Sequence, residues 1–579
     1  MKSKKQKSVQ SAIKGKSVPA PQGMRFLDHS WASGLLLLII TLLVYLPVTK
    51  CGYIWDDETY IQQNRILRTA DGLWHIWFDF RATPQYYPMV HTSYWLEYRC
   101  WQLNPMGYHL VNVIIHALNV LLVWRLLRFL RLPGAWLAAA LFALHPVQVE
   151  SVAWITERKN VLSGLFYLAA TLTYLKFAFS DNSDLKPKKS QKLFVLSLLL
   201  FLCALFSKTV TCTLPAVLLL ILWWKRRRVL RRDVLTLIPF LVVGISLGLF
   251  TAWLEKYHVG AQGRDWDLTA VERFLVAGRA LCFYAGKLLW PHPLIFTYPR
   301  WQINWALWWQ FLYPLAALLT ISLLGLARHR IGKGPLVAVL FFAGTLAPAL
   351  GFFDVYPMQY SFVADHFQYL AGIAPLTLIA ALGVCLHRRL PEKAKIFTPL
   401  VPVLILTVLA ALTWRQQKIY KNVETLWRDT LQKNPDSFMA HNNLGAFLCT
   451  QGSFDEAVKH FYRAIKLKPH HAEAHNNLAW VLATHPHPAA RDPNEAIRLA
   501  ERALALSPLE NAAFYDTLAA AHAASGHFDQ ALSLAQQALA LASAQEKKEL
   551  VREIRRRIDL YRQKIPYKMP PAYPGNIKP

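Results

Sequence analysis

The stretch YIWDDETYIQQN, Tyr53 to Asn64, places three acids side by side (Asp56, Asp57 and Glu58) directly after the first long apolar run. The rest of the chain is basic, with 64 Lys and Arg against 35 Asp and Glu. Tyr53, Ile54, Trp55, Tyr60 and Ile61 surround the acids with apolar bulk. Partial burial raises a carboxylate's pKa and makes it a usable proton acceptor. The plain alternative is a solvated loop after a helix, where acids are common. Adjacent acids repel, so their being together favours a task.

Other chemistry-bearing side chains lie at the ends of apolar runs. Arg158 and Lys159 close HPVQVESVAWITERKN (145–160), which also holds Glu150 and Glu157, and Lys208 opens SKTVT (207–211). Such cations either extend to lipid head groups or bind a phosphate; the planar fork of an arginine suits phosphate oxygens best. Local pairing of Arg158 and Lys159 with Glu150 and Glu157 is a third reading. His109 and His116 share one helix face with Asn112 and Asn119. Interhelical hydrogen bonding accounts for them, with His109 the better ligand candidate of the two. Asp365 and His366 are a similar acid and base among aromatics. The adjacent acids could hold Mg²⁺ or Mn²⁺ with help from a phosphate; no other metal pattern stands out. Neither a phosphate-cradling Gly-rich loop nor a hydrolase or zinc-protease motif is present. A nucleotide therefore has no visible site.

These residues must be positioned by membrane helices. The 579-residue chain is 54% hydrophobic, with 21 Trp, 23 Tyr and 30 Phe, which indicates several spans flanked by aromatic belts. Eleven segments qualify: 31–49, 106–127, 132–146, 161–179, 193–207, 209–224, 234–253, 306–327, 335–353, 369–386 and 396–414. A basic tail over residues 1–30 sets the N-terminus inside, and alternation then puts every remaining inside loop on a basic cluster, from Arg125/Arg128/Arg131 to Arg388/Arg389/Lys393/Lys395. The surplus of +29 thus follows the membrane and not nucleic acid. The same register sends residues 50–105 with the acidic stretch, residues 145–160, 207–211, the long loop 254–305, residues 354–369 and everything after Trp414 to the outside. Seven Cys are scattered and outline neither a disulfide framework nor a zinc site.

The last third changes character. HNNLGAFL at 441 returns as HNNLAWVL at 475, and Asn434-Pro435 returns as Lys468-Pro469. The interval is that of the tetratricopeptide repeat, a helix pair that buries its apolar face by stacking on its neighbours. The predicted fold is all-α: a polytopic bundle over 31–414, repeats over 421–543, and a capping helix with a Pro-rich tail over 544–579. Asn442, Asn443, Asn476 and Asn477 recur one period apart. They either bind the backbone of an extended protein or peptide or support packing between helices.

The motifs WDDETYIQQNRIL, NPMGYHLVNVIIHALN, HPVQVESVAWITERKNVLSGLFYL, SKTVTCTLP and ADHFQYLA, ahead of repeats, resemble the tetratricopeptide-repeat transmembrane O-mannosyltransferases and their bacterial relatives, within the GT-C glycosyltransferases. The resemblance covers about residues 31–540. It implies an inverting transfer of a sugar, mannose among the candidates, from a polyprenyl-phosphate donor to protein Ser or Thr hydroxyls. In that frame Asp56 is the first acid of D-[DE]-x-x-Y and the general base, Asp57 is its helper, and Tyr60 is the closing position. Arg158, Lys159 and Lys208 become donor-phosphate ligands, and His109, Glu150, Asp365 and His366 substrate contacts. The family's vertebrate members usually carry SKE where this chain has SKT (207–209). The expected setting is a bacterial inner membrane with the repeats outside, or an ER membrane with the repeats in the lumen.

Two other functions compete. A transporter or flippase for a lipid-linked precursor would show paired halves and broken mid-membrane helices, and the polar segments here gather at one face instead. A membrane scaffold explains the repeats and leaves the acidic stretch unexplained.

Overall fold

The computed structural model describes residues 30–179, 187–226, 228–263, 265–507, 510–545 and 547–570. The basic tail, Lys186, Arg227 and the end of the Pro-rich tail lie outside the described residues. The described chain is helical throughout, without strands.

Among the described residues eight helices, or nine if a bent pair counts as one span, are long and apolar enough to cross a membrane: Trp31–Lys50, Pro105–Phe129, Ile155–Ala178, Ser190–Ser207, Thr209–Arg226, Arg231–Val259, Trp308–Ile331 and Glu392–Tyr420 stand as single helices. The three other expected spans are also helical, and shorter. Pro146 breaks the third, so that Ala135–Leu144 and Pro146–Ala153 meet at 55°; a proline cannot continue the helical ladder. The ninth forms the shorter apolar helix Gly334–Ala349. The tenth, Ile373–Arg389, spends its last turn on His387, Arg388 and Arg389.

Contacts nevertheless bring alternate ends of all these helices together. At one end Gln417 Nε2 donates to Val44 O at 2.9 Å, Thr156 meets Asp57, Lys208 meets Glu157, Gln85 meets Glu255 and His366 meets Glu150. At the other end Lys225 Nζ donates to Leu130 O at 2.5 Å, Arg226 reaches Asp233 and Ala178 O, and Lys333 Nζ donates to Trp223 O at 3.2 Å. The polar segments expected on one face do share one end.

The repeats follow through a tight junction. Asn422 caps the helix Val423–Lys433 by accepting from Thr425 N, and helix pairs Phe438–Thr450/Phe454–Leu467, Ala472–Thr484/Pro493–Leu506 and Ala512–Ala524/Phe528–Ala544 stack after it. Gly445 lies where a Cβ would stand 2.8 Å from the Phe461 ring, so the first pair crosses closely only with glycine there. Gly452 and Gly526 turn the chain between partners at φ 76° and 83°, a region that favours glycine. The helix Lys548–Arg562 closes the stack: its buried Arg557 pairs with buried Asp516 at 2.7 Å. The chain then runs extended back over the stack, with Tyr567 against Trp480 and Met569 N donating to Thr484 O at 2.8 Å.

The repeats sit on the same end as the acidic loop. Lys433 Nζ donates to Leu294 O at 3.0 Å and Asn434 Nδ2 to Thr297 O at 3.0 Å. Lys468 pairs with Asp265 at 2.7 Å. Trp427, from the first repeat helix, is buried against Trp55 and Phe296.

Candidate active site

The acidic loop is built by its two neighbours in space. Gly52 N donates to Lys421 O at 2.9 Å, which ties the loop to the junction with the repeats. Trp55 takes a left-handed φ of 41°, an uncommon conformation for a bulky residue and a sign of local constraint. Its ring stacks on Trp154 with centroids 5.4 Å apart and meets Phe296, Tyr360 and Trp427 edge-on. That aromatic seat fixes the residue before Asp56.

The two aspartates have different environments. Asp57 is buried; Oδ2 accepts from Ile54 N at 3.0 Å, and Oδ1 accepts from Thr156 N at 2.8 Å and Thr156 Oγ1 at 2.5 Å. Burial pushes it up to about 7 against those hydrogen bonds. Asp56 is half-buried, and its carboxylate makes no hydrogen bond or ion pair among the described residues. Burial raises it to about 6, with Lys159 opposing, Glu157 adding and His366 opposing.

Those groups form a network centred on Glu157. Its Oε1 lies 3.0 Å from Lys159 Nζ and 3.8 Å from His366 Nε2. Its Oε2 lies 3.4 Å from Lys208 Nζ and accepts from Asn160 Nδ2 at 2.5 Å. Lys208 Nζ also donates to Asn160 Oδ1 at 2.7 Å, and burial lowers it to about 8. His366 Nδ1 lies 3.1 Å from Glu150 Oε1, and His366 N donates to Glu150 Oε2 at 3.0 Å. Lys159 and Lys208 thus bring two cations to one directly paired carboxylate.

The expected residues separate into those that converge and those that do not. Lys159, Lys208, Glu150 and His366 share the network, Asp56 feels its charges without a direct bond to it, and Tyr60 borders it with Lys159 Nζ 5.7 Å from its ring centre. Arg158 does not join it. Its side chain pairs with Glu97 and donates to Asn112 Oδ1, Ser93 Oγ and Tyr108 O. All five N–H donors of the guanidinium are thereby engaged, which corrects its assignment as a phosphate ligand. His109 Nε2 faces Gly52 O at 3.3 Å and supports the loop from behind. Asp365 turns away to accept from Tyr298 OH at 3.0 Å, and burial with Glu150 nearby keeps it well above the usual carboxylate range. His116 bonds Tyr369 OH at 2.8 Å inside the bundle.

In the repeats, Asn477 Nδ2 donates to Asn442 Oδ1 at 3.1 Å, and Asn442 Nδ2 to Asn443 Oδ1 at 3.4 Å. Asn476 is buried with an unmatched Oδ1. Part of this ladder therefore serves contact between repeats.

Sequence reasoning passed over Glu157 as the hub, Asn160, and the chain Tyr60 OH to Gln85 Oε1 at 2.8 Å and Gln85 Nε2 to Glu255 Oε1 at 2.8 Å. Glu157 and Asn160 lie within ITERKN, where alternating charge was the available signal. Gln85 and Glu255 are 170 residues apart, and neither stands in a motif. The donor set suits Mg²⁺ or Mn²⁺ poorly. Among the described residues no group of three His, Cys, Asp or Glu could hold a metal ion, and both Asp57 oxygens already accept from the protein.

The chain is similar to known proteins in its repeats and in its membrane part. A tetratricopeptide-repeat family model matches residues 424–472 and 448–490. The protein O-mannosyl-transferase F38B6.6 of Caenorhabditis elegans is 26% identical over 75% of this chain and 62% of its own length. The protein O-mannosyl-transferase Tmtc3 of Drosophila melanogaster is 24% identical over 77% of the chain and 56% of its own, and human TMTC1 is 26% identical over 74% and 54%. The chain is similar to these proteins over about three quarters of its length. It spans less than two thirds of the length of these relatives. The matched part of the worm protein exceeds what the repeats alone could supply, so the TMTC likeness includes the multi-pass bundle.

Proposed function

We propose that this protein is a membrane glycosyltransferase that moves a sugar, mannose by analogy with its relatives' names, from a polyprenyl phosphate to a Ser or Thr hydroxyl of a protein. The observation that carries the reading is the uncommitted carboxylate of Asp56 beside the Lys159–Glu157–Lys208 network. Asp56 takes the hydroxyl proton as the hydroxyl oxygen bonds to the anomeric carbon. The bond from that carbon to the lipid phosphate breaks, and the phosphate gains a negative charge as it leaves. Lys159 and Lys208 are the cations placed to receive that charge. A base near pKa 6 fits this work, being ionised at neutral pH yet basic enough to accept a proton. Asp57 holds the loop and does not exchange the proton.

The basic ends of the bundle would face the cytoplasm and the network the other side, where the repeats also lie. A stack of helix pairs next to the network suits an extended acceptor chain. Asn443 is the residue we assign to its backbone, through its amide N–H groups, while Asn442 and Asn477 pair with each other and Asn476 is buried.

The purified protein, reconstituted in vesicles, would be given polyprenyl-phosphate mannose or GDP-mannose with Ser/Thr-containing peptides. Mass spectrometry should find a hexose on the peptide with the lipid donor alone. Transfer from GDP-mannose alone would refute the reading.

A further inference from the structure

The segment after the closing helix of the stack is itself seated on the repeats. Lys564 N donates to Tyr561 O at 3.0 Å and Ile565 N to Leu560 O at 2.9 Å, which ends the helix Lys548–Arg562 and turns the chain back. Lys564 stands in that turn at φ 58°, a position usually held by glycine. A Cβ makes the conformation costly, and the contacts that follow offset the cost. Tyr567 and Met569 turn inward and Lys568 outward, the alternation of an extended chain. The Tyr567 ring lies 5.7 Å from the Trp480 ring. The Arg557 guanidinium lies 5.2 Å from the centre of one and 5.3 Å from the other, with its charge balanced by Asp516. Met569 N donates to Thr484 O at 2.8 Å. Thr484 ends its own helix, and the last carbonyls of a helix have no partner within it.

The seat continues the strip assigned to the acceptor. Asn477, Trp480 and Thr484 stand at i, i+3 and i+7, on one face of the helix Ala472–Thr484. Asn477 reaches Asn442 on the first helix of the preceding pair, next to Asn443. The hold on the segment is light. It runs through Tyr567, Met569 and the bond to Thr484, while Ile565 and Lys568 are exposed. Pro566 and Pro570 bracket the segment and reduce the backbone freedom lost on docking. Aromatic-lined surfaces take proline-flanked extended chains in this way. Light contacts suffice within one chain, because a tether keeps the effective concentration high. A free chain with the same groups competes for the same seat.

We infer that the surface formed by Trp480, Thr484 and Arg557 binds an extended segment of another polypeptide, and that residues 565–570 occupy it until that ligand arrives. The segment recognised has a proline, an aromatic ring directly after it and an apolar side chain two residues further on. On the transferase reading, on which this choice of partner rests, the ligand is the acceptor chain. The surface then selects acceptors by a motif separate from the hydroxyl that is modified.

The probe is a fluorescent peptide with the sequence of residues 564–570, and the readout is its anisotropy with the full chain in nanodiscs. Wild type should bind it weakly, because the tethered segment competes. Tyr567→Ala/Met569→Ala, which empties the seat, should bind it about tenfold more tightly or better. Adding Trp480→Ala should abolish that gain, and Trp480→Tyr, which keeps a ring, should retain most of it. Equal binding by wild type and the emptied variant, or binding that survives Trp480→Ala, would overturn the inference. So would an emptied variant that melts lower and captures no peptide, since the segment would then be a fixed part of the stack. Capture without sugar transfer to Ser/Thr peptides that carry the motif would uphold the surface and refute the transferase reading. Transfer at equal rates to peptides with and without the motif would refute the selection of acceptors here and leave the transferase reading standing.

Discussion

Asp57 and Thr156, 99 residues apart, are joined by two hydrogen bonds to one oxygen: Asp57 Oδ1 accepts from both the backbone N and the Oγ1 of Thr156. The link fastens the acidic loop to the segment that carries Glu157 and Lys159, and so fixes where Asp56 stands relative to them. Asp57→Asn keeps an acceptor for Thr156 but turns an amide toward Ile54 N, leaving two donors face to face. We expect a loss of about 1–3 kcal/mol in stability, read as a lower melting temperature. Thr156→Val should cost about 1 kcal/mol and leave most activity. If Asp57→Asn melts like wild type yet has no activity, its role is chemical and this division of labour is wrong.

The raised pKa of Asp56 has a testable sign. Its folded value of about 6 lies above the ordinary value of 3.8. The folded state therefore favours the protonated group, and stability present below about 4 is lost as the pH rises through about 6. Asp56→Asn should raise stability at pH 7.5 by about 1–2 kcal/mol, after allowance for the water that reaches this half-buried group. The gain should vanish at pH 4. A destabilised Asn variant at pH 7.5 would mean that the carboxylate is a structural anion.

Activity should be bell-shaped in pH. The acid limb follows protonation of Asp56 near 6, and the alkaline limb follows loss of the Lys208 proton near 8. The groups interact, so the limbs report the network as a whole. Lys208→Arg should move the alkaline limb upward, because a guanidinium stays charged. An unchanged limb would detach Lys208 from the reaction.

Arg158 and Lys159 are adjacent yet should fail differently. Arg158→Met strips a buried partner from Glu97, a change that typically costs about 3–5 kcal/mol, and should reduce the folded yield. Lys159→Gln should fold but lose affinity for the lipid donor. If Arg158→Met folds normally and weakens only donor binding, then Arg158 belongs with the phosphate ligands after all.

How much of this was legible in the sequence follows from the range of each force. The repeats were visible because a local period fixes each helix pair, down to Gly445 under Phe461. The apolar runs were visible because span length is set by the bilayer, and Pro146 and the charged end of Ile373–Arg389 make two of the helices within them shorter. Asp56, Lys159 and Lys208 were found by type and by their place at the ends of apolar runs. What stayed hidden was pairing at long range. Nothing near Arg158 in sequence announces Glu97, and nothing near Tyr60 announces the route through Gln85 to Glu255.

Asp56 is the proton acceptor of the proposed transfer. The direct measurement is the single-turnover rate of mannose transfer from polyprenyl-phosphate mannose to peptide, wild type against Asp56→Asn, in the same vesicles. A drop of about 10²–10⁴ in rate, with unchanged donor binding and an undiminished melting temperature, is the expected result. A variant within tenfold of wild type would contradict the account and leave the network around Glu157 without its base.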